Sequence, residues 1–266
     1  MNLLDYGFMQ NALLVGNAVA VAAAVTGWFV VQRRQSFAAH AIANLGFPGA
    51  AGAILVGLSP YAGLFAFALA GAVAIALLGE RLHERDVSVG MVLVLALGVG
   101  VLFLNLYMAN ANAAFSILFG NMLGIDRTRM WLSIGAVLGE LGLLAAIARP
   151  LLFATLSPEA AQARGVPVWA LNMAFLLLLA VAIAIAIPAI GALLVFALVI
   201  GPPAAARLWA GRVVTGIVLA VVLGMVEATG GVLAAWFIGY PTSFWIVGLA
   251  FAAYLASVVL APRLRR

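Results

Sequence analysis

The residues of this chain that could bind a cation lie inside long apolar stretches. His40 and Asn44 are four residues apart, so on a helix both project from the same face. An imidazole nitrogen and an amide oxygen suit a borderline divalent cation such as zinc, manganese or iron. We therefore predict a metal site at His40 and Asn44. The alternative, a structural histidine hydrogen-bonded to a neighbouring helix near Arg33 and Arg34, remains open.

Two carboxyl groups, Glu140 and Glu227, also lie near the middle of apolar stretches. Ionisable residues in such stretches are costly and usually functional. Three roles are open for each carboxyl. It is a protonated, hydrogen-bonded group, an auxiliary group that attracts the metal along its path, or the proton-coupling group of an ion-driven carrier.

The composition predicts an all-α, polytopic transmembrane bundle. Hydrophobic residues make up 67% of the 266-residue chain and charged residues 8%, whereas roughly a quarter of a soluble domain is charged. Several windows run for about 20 residues without a charge, which is the length needed to cross ~30 Å of hydrocarbon. The apolar runs are continuous and do not alternate, which argues against a β-barrel.

The sequence contains no motif for catalysis or for a bound cofactor. The chain has no cysteine, which rules out disulfides, thiolate metal sites and cysteine nucleophiles. Neither a phosphate-binding loop nor a Ser/His/Asp arrangement occurs. Most of the 13 basic residues, all arginines, lie in short loops, which suits lipid headgroups and not nucleic acid. We predict a protein that is not an enzyme and binds no cofactor.

The apolar segments form one predicted transmembrane domain over residues 1–266. Polar or Pro/Gly-marked connections separate them. Residues 111–124 are too short to span and are predicted to form an interfacial or re-entrant helix. We predict about eight or nine spans, and the nine segments are 10–31, 38–57, 60–79, 88–107, 130–148, 168–187, 189–208, 213–238 and 243–262.

The distribution of arginine predicts how the chain is oriented. With nine spans and an external N-terminus, Arg127 and Arg129 are the two arginines that lie outside. Because basic residues concentrate in cytoplasmic loops, we predict the N-terminus outside and the C-terminus inside. The eleven arginines then inside are Arg33, Arg34, Arg81, Arg85, Arg149, Arg164, Arg207, Arg212, Arg263, Arg265 and Arg266.

A polar insert at residues 156–168 predicts a short cytoplasmic helix between two spans. Ser157 and Pro158 suit the N-cap and the first helical position, and Gly165 suits the end of the helix. An acidic residue near the start and a basic residue near the end complement the helix dipole. The helix is either a folded loop or a rigid element that docks on a soluble partner. The residues predicted to dock are Ser157, Pro158, Glu159, Gln162, Arg164 and Gly165.

Four blocks of the chain, in the same order, resemble the membrane permease subunits of ABC transporters that import zinc, manganese or iron. The third and fourth blocks are the more specific. The segment YPTS at residues 240–243 also resembles the sequence of that family before its final span. The blocks are RRQSFAAHAIANLGFPG at 33–49, LFGNMLG at 118–124, SPEAAQARGVP at 157–167 and IGALLVFALVIGPPAAAR at 190–207.

This resemblance implies a helical bundle in a bacterial cytoplasmic (inner) membrane that dimerises with a second copy of itself. It implies two cytoplasmic ATP-binding subunits, which hydrolyse ATP in a separate chain, and an extracytoplasmic metal-binding protein that delivers the metal. Residues 157–166 would then be the coupling helix that docks into the ATPase. The divalent metal would be the transported substrate, and the direction would be uptake.

The chain departs from the family at the second span. Many relatives carry Asp-x-x-x-His there, and alignment on Pro48 and Gly49 places His40 and Asn44 at those two positions. Metal ligation with weaker charge, a shift of the ligands elsewhere and a different substrate all remain open. Dimerisation would double the ligand set to two imidazoles and two amides.

A stand-alone proton- or ion-coupled carrier is the alternative function. Glu140 or Glu227 would be its proton group. Inverted repeats with paired broken helices would favour such a carrier, and the sequence contains no convincing pair. The capped polar helix at 157–166 favours the ATP-driven permease.

Overall fold

The computed structural model describes residues 6–81, 85–106, 118–192 and 194–264. Within these ranges the chain is all helical, as predicted, and residues 111–117 of the predicted short helix lie outside them. The α-helices are α1 (Gly7–Gln32), α2 (Ser36–Leu55), α3 (Pro60–Arg81), α4 (Arg85–Leu106), α5 (Arg127–Leu156), α6 (Pro158–Ala163), α7 (Val168–Ile190), α8 (Val195–Trp209), α9 (Val213–Ile238) and α10 (Thr242–Leu264).

In the described ranges, eight helices are long and apolar enough to cross a membrane, which agrees with the predicted eight or nine spans. The seventh predicted span, 189–208, corresponds to α8, which has only 15 residues. A span takes about 20 residues, so α8 is short of that length. The difference arises because α7 continues through Pro188 to Ile190, and Gly191 then turns the chain with a φ of 99°.

The helices α1, α2 and α7 form the centre of the bundle. In their most apolar stretches 67–72% of the residues are buried, against 33% for α3 and α9 and 22% for α4, α5 and α10. The outer helices expose apolar side chains, as a surface in contact with lipid requires. The central helices therefore determine which polar side chains can meet inside the bundle.

One side of α2 packs directly against the backbone of α3. Gly49 and Gly63 approach so closely that a methyl group on either one would overlap the carbonyl oxygen of the other. Pro48, inside α2, lies against Gly100 of α4, where an added Cβ would be 3.0 Å from the proline Cβ. Small residues permit such close packing between helices in lipid. Two sides of α2 are thereby occupied by α3 and α4.

The span before the polar insert is longer than the sequence indicates. The predicted span 130–148 is part of α5, which has 30 residues and continues through Arg149 and Pro150 to Leu156. A proline within a membrane helix is tolerated because neighbouring groups compensate for the lost hydrogen bond. Between α5 and α7, only α6 and its short flanks lie outside the long helices, and we refer to this end of the bundle as the α6 end.

At the opposite end, residues 118–124 lie against the break between α7 and α8. The backbones of Gly120 and Gly191 are in direct contact, and both have positive φ angles. The backbone N–H of Asn121 donates to the Pro188 carbonyl at 3.0 Å. The Ser243 hydroxyl donates to the Phe119 carbonyl at 2.8 Å. This segment of the predicted short helix therefore packs on the bundle and contains a three-residue 3-10 turn.

Candidate functional site

The spacing of His40 and Asn44 on α2 does bring their side chains together. The Asn44 amide nitrogen lies 3.3 Å from His40 Nε2 and donates to the His40 backbone carbonyl at 2.9 Å. With the amide nitrogen as donor, His40 Nε2 accepts and the ring proton lies on Nδ1. The Nε2 lone pair and the Asn44 amide oxygen are then the two atoms of this pair that can coordinate a cation.

Both side chains of the pair are only half-buried in the single chain. The His40 ring contacts Phe196 in the first turn of α8 in an edge-on arrangement, with 5.1 Å between the ring centres. This contact orients the imidazole, and α3 and α4 occupy other sides of α2. The pair thus combines an oriented imidazole with side chains that are partly exposed at the surface of the chain.

Glu140 has a hydrogen-bonding partner that the sequence did not indicate. The carboxyl is 2% exposed, and its Oε1 accepts a hydrogen bond of 2.7 Å from the hydroxyl of Thr26 on α1. Its other oxygen, Oε2, is buried without a partner among the described residues. Glu140 therefore joins α5 to α1 inside the bundle.

Glu227 on α9 is also 2% exposed, and neither carboxyl oxygen has a partner among the described residues. Nearby on the same helix, Thr229 exchanges hydrogen bonds with Asn17 of α1, with the Asn17 amide nitrogen 3.0 Å from the Thr229 hydroxyl. The sequence analysis did not predict the Asn17–Thr229 pair either. As with the two carboxyls, the available indication was a polar residue within an apolar segment.

The structure does not bring the carboxyls together with the polar pair of α2. Among the described residues, no group of three or more His, Cys, Asp and Glu side chains is close enough to hold a metal ion. His40, Glu140 and Glu227 therefore do not form one metal-binding cluster in the single chain. Metal ligation by any of them stays a prediction.

The predicted docking helix is present as α6, six residues long against the expected 157–166. Ser157 occupies the N-cap position but makes no side-chain capping bond, and Pro158 is the first helical residue. Gly165 ends the helix region with a φ of 78°. The side chains predicted to dock, those of Glu159, Gln162 and Arg164 among them, are exposed.

Two contacts hold α6 on the bundle, while Glu159 and Gln162 stay exposed. Ala161 is fully buried in a small cluster with Ala154 and Leu171, from the helices before and after α6. The Arg164 guanidinium lies over the Phe153 ring, 5.5 Å from its centre, an arrangement that favours attraction of the cation to the ring. The result is a short, anchored polar surface that a soluble protein can reach.

Comparisons with known proteins agree with this arrangement. The sequence matches the ABC 3 transport family over residues 5–261. It is 28% identical to the manganese transport system membrane protein MntC of Halalkalibacterium halodurans, over 98% of this chain and 90% of that protein. It is 28% identical to the chelated iron transport system membrane protein YfeC of Yersinia pestis, over 97% and 88%.

A solved structure has the same fold over nearly the whole chain. It is that of PsaBC from Streptococcus pneumoniae in complex with Fab, which superposes with a TM-score of 0.87 at 27% identity. The match covers 99% of this chain and 95% of that chain. The helix arrangement described above is therefore shared with that solved structure.

Proposed function

Because the chain belongs to the ABC 3 transport family, we propose that it forms the path by which a divalent transition metal, such as manganese or iron, enters a bacterial cell across the cytoplasmic membrane. Relatives named for manganese and chelated iron transport support this choice of substrate. The energy would come from ATP hydrolysed by a separate subunit. Family membership supports this permease over the ion-coupled carrier that Glu140 or Glu227 would have served.

The single observation that carries the proposal is α6, an exposed polar helix anchored between α5 and α7. The rest of the described chain is a bundle of apolar helices and offers no other compact polar element of this kind. An ATPase subunit is soluble, so it needs such a surface to act on the bundle. We propose that Ser157, Pro158, Glu159, Gln162, Arg164 and Gly165 form that docking surface.

The proposed substrate ligands are His40 and Asn44. A metal ion on His40 Nε2 would take the place of the Asn44 amide N–H, and a turn of the amide would present its oxygen to the same ion. Two ligands make a weak site, and a conducting path needs weak sites because a tightly held ion does not leave. Dimerisation would place a second such pair across the path. Delivery by an extracytoplasmic metal-binding protein completes the proposed system.

The docking role is tested by replacing Glu159 and Arg164 together with alanine in the assembled transporter. Both residues are exposed, so membrane insertion should be unchanged and folding should weaken by less than about 1 kcal/mol. Metal uptake and recovery of the ATPase subunit in mild detergent should both fall. The matched control is Arg212→Ala, an exposed arginine outside α6. Wild-type uptake in the double variant would reject the docking role.

The proposed orientation is tested by cysteine labelling in intact cells, which is clean because the chain has no cysteine of its own. Cysteines placed at the exposed positions Ser59 and Tyr240 should react with an impermeant reagent added outside. A cysteine at Gln162 should not react until the membrane is opened. Labelling of Gln162→Cys from outside would place α6 on the wrong side for an ATPase.

A further inference from the structure

The Arg33 guanidinium connects three elements at the α6 end. Its Nη1 lies 3.0 Å from the Thr155 hydroxyl in the last turn of α5, and its Nη2 lies 2.9 Å from the Asn172 amide oxygen in α7. Its Nε lies 3.4 Å from the side-chain oxygen of Gln35, immediately before α2. A single side chain at the end of α1 therefore holds the ends of α5, α7 and α2 together.

Two further contacts close this cluster. The buried Gln35 side chain donates to the Asn172 amide oxygen at 2.8 Å, so that one oxygen accepts from both Gln35 and Arg33. The Arg33 guanidinium also lies over the Phe175 ring of α7, 5.4 Å from its centre. Arginine has a planar fork of donors that can hold several acceptors in fixed directions, which lysine lacks. We refer to Arg33, Gln35, Thr155 and Asn172 as the Arg33 cluster.

The neighbouring arginine behaves differently. Arg34 adopts a left-handed backbone conformation with a φ of 55°, which is uncommon for a residue other than glycine, and its side chain is exposed. An arginine at a membrane boundary ordinarily extends its charged group toward water and headgroups. Arg34 fits that pattern, whereas Arg33 is turned inward onto polar groups of the bundle. The pair provides a matched comparison at adjacent positions.

The cluster lies between the two proposed functional elements. Thr155 and Asn172 belong to the helices on either side of α6, and Gln35 precedes His40 by five residues at the start of α2. A cavity of about 230 Å³ opens beside the cluster and is lined by Gln162 of α6 as well as by Arg33 and Asn172. A movement of α6 would therefore displace α5 and α7, which flank it. It would also displace the Arg33 cluster, which connects these two helices to α2.

We propose that Arg33 is the positioning residue that makes α6 and the start of α2 move as one unit, so that displacement of α6 by the ATPase shifts His40 and Asn44. This inference rests on the proposed function and adds the route by which the docking surface acts on the substrate ligands. Hydrogen bonds from a charged guanidinium are stronger than those between neutral groups, and a network of them holds the elements that it joins in one arrangement.

The first test measures movement without using metal. Spin labels on cysteines at Phe37, exposed near the start of α2, and at Ala163, exposed at the end of α6, report the distance between the two elements in the full transporter with its ATPase. With Arg33 intact, that distance should be the same with and without ATP. In Arg33→Gln it should change when ATP binds, and in Arg34→Gln it should again stay constant. An ATP-dependent change in the unaltered protein equal to that of Arg33→Gln would overturn the proposal.

The second test measures coupling as metal ions taken up per ATP hydrolysed. Arg33→Gln should lower this ratio by roughly 2- to 30-fold, the range that mutations along a coupling network produce, while ATP hydrolysis and co-purification persist. Arg34→Gln should leave the ratio unchanged. A wild-type ratio in Arg33→Gln would overturn the role, whereas absence of uptake in the unaltered transporter would instead overturn the proposed function.

Two milder variants keep the proposal testable if Arg33→Gln does not assemble. Thr155→Val and Asn172→Leu each remove one acceptor and leave the arginine in place. Each should lower the coupling ratio, and Asn172→Leu should lower it more because Asn172 accepts from two donors. Wild-type ratios in both variants would overturn the proposal.

Discussion

The polar pair on α2 and the carboxyls of α5 and α9 all lie in apolar helices but differ in how far they are buried. His40 and Asn44 are half-buried and hydrogen-bond to each other, and their open side can be reached from outside the chain. Glu140 and Glu227 are each 2% exposed. A polar group within a span attracts a functional interpretation by default, but a transported ion must be able to reach its ligand. The exposure of the side chains therefore distinguishes the pair on α2 from the two buried carboxyls, whereas residue type alone does not.

Of the variants that test this comparison, His40→Ala should have the largest effect. If the accessible pair forms the path, loss of the imidazole should reduce metal uptake by at least about tenfold, the lower end of what loss of a supporting group costs at a metal site. Uptake of radioactive manganese into proteoliposomes measures the effect, and the amount of protein in the membrane is the control. Uptake at the wild-type rate would make His40 a structural residue.

Glu140→Leu tests the buried side of the comparison. It leaves the fully buried Thr26 hydroxyl without its acceptor, which should destabilise the bundle by about 1–3 kcal/mol. Adding Thr26→Val should recover most of this loss, because replacing both partners by apolar groups is nearly neutral. Thermal unfolding in detergent measures both variants. Loss of metal uptake in the stable double variant would show that Glu140 serves the path.

Glu227→Met replaces a buried carboxyl that has no partner among the described residues. A buried polar group without a hydrogen bond costs about 1–3 kcal/mol, so an apolar side chain of similar volume should raise the unfolding temperature. Because Glu227 forms no metal-binding cluster with His40 among the described residues, uptake should be retained. Abolished uptake with unchanged protein level would instead identify Glu227 as an auxiliary metal or proton group.

Asn44→His should have the smallest effect and sharpens the comparison from the accessible side. The new imidazole restores a ring nitrogen at the position where relatives carry histidine, so uptake should persist. Nitrogen ligands suit zinc better than an amide oxygen does, and competition by zinc against manganese uptake should increase. A variant that inserts normally but takes up no metal would show that the amide itself is required.

Local patterns predicted several features because neighbours in sequence produce them. The four-residue spacing of His40 and Asn44 predicted a shared helix face, and their side chains do meet. The polar insert predicted α6, with Pro158 as its first residue and Gly165 near its end. Boundaries were less accurate where a proline stays within a helix, as Pro150 does in α5 and Pro188 does in α7. In a membrane bundle, neighbouring helices compensate for the bond that proline removes.

Hydrogen bonds between residues far apart in the chain could not be predicted from the sequence. Thr26 and Glu140 are 114 residues apart, and Arg33 and Asn172 are 139 residues apart. In a soluble helix the apolar stripe shows which face turns inward, but helices that are apolar all round carry no such stripe. The inward face of α5 or α9 could therefore not be assigned from its residues.

By itself, the sequence determined the features that depend on amino-acid composition and on residues close together in the chain. Apolar length and low charge determined a helical membrane bundle, and one polar insert determined a short helix outside the long ones. The tertiary structure alone decided which polar groups are reachable, that Arg33 turns inward while Arg34 does not, and that α8 has only 15 residues. Those outcomes depend on which helices are neighbours, and in an apolar chain close packing of small residues, with a few buried hydrogen bonds, determines that choice.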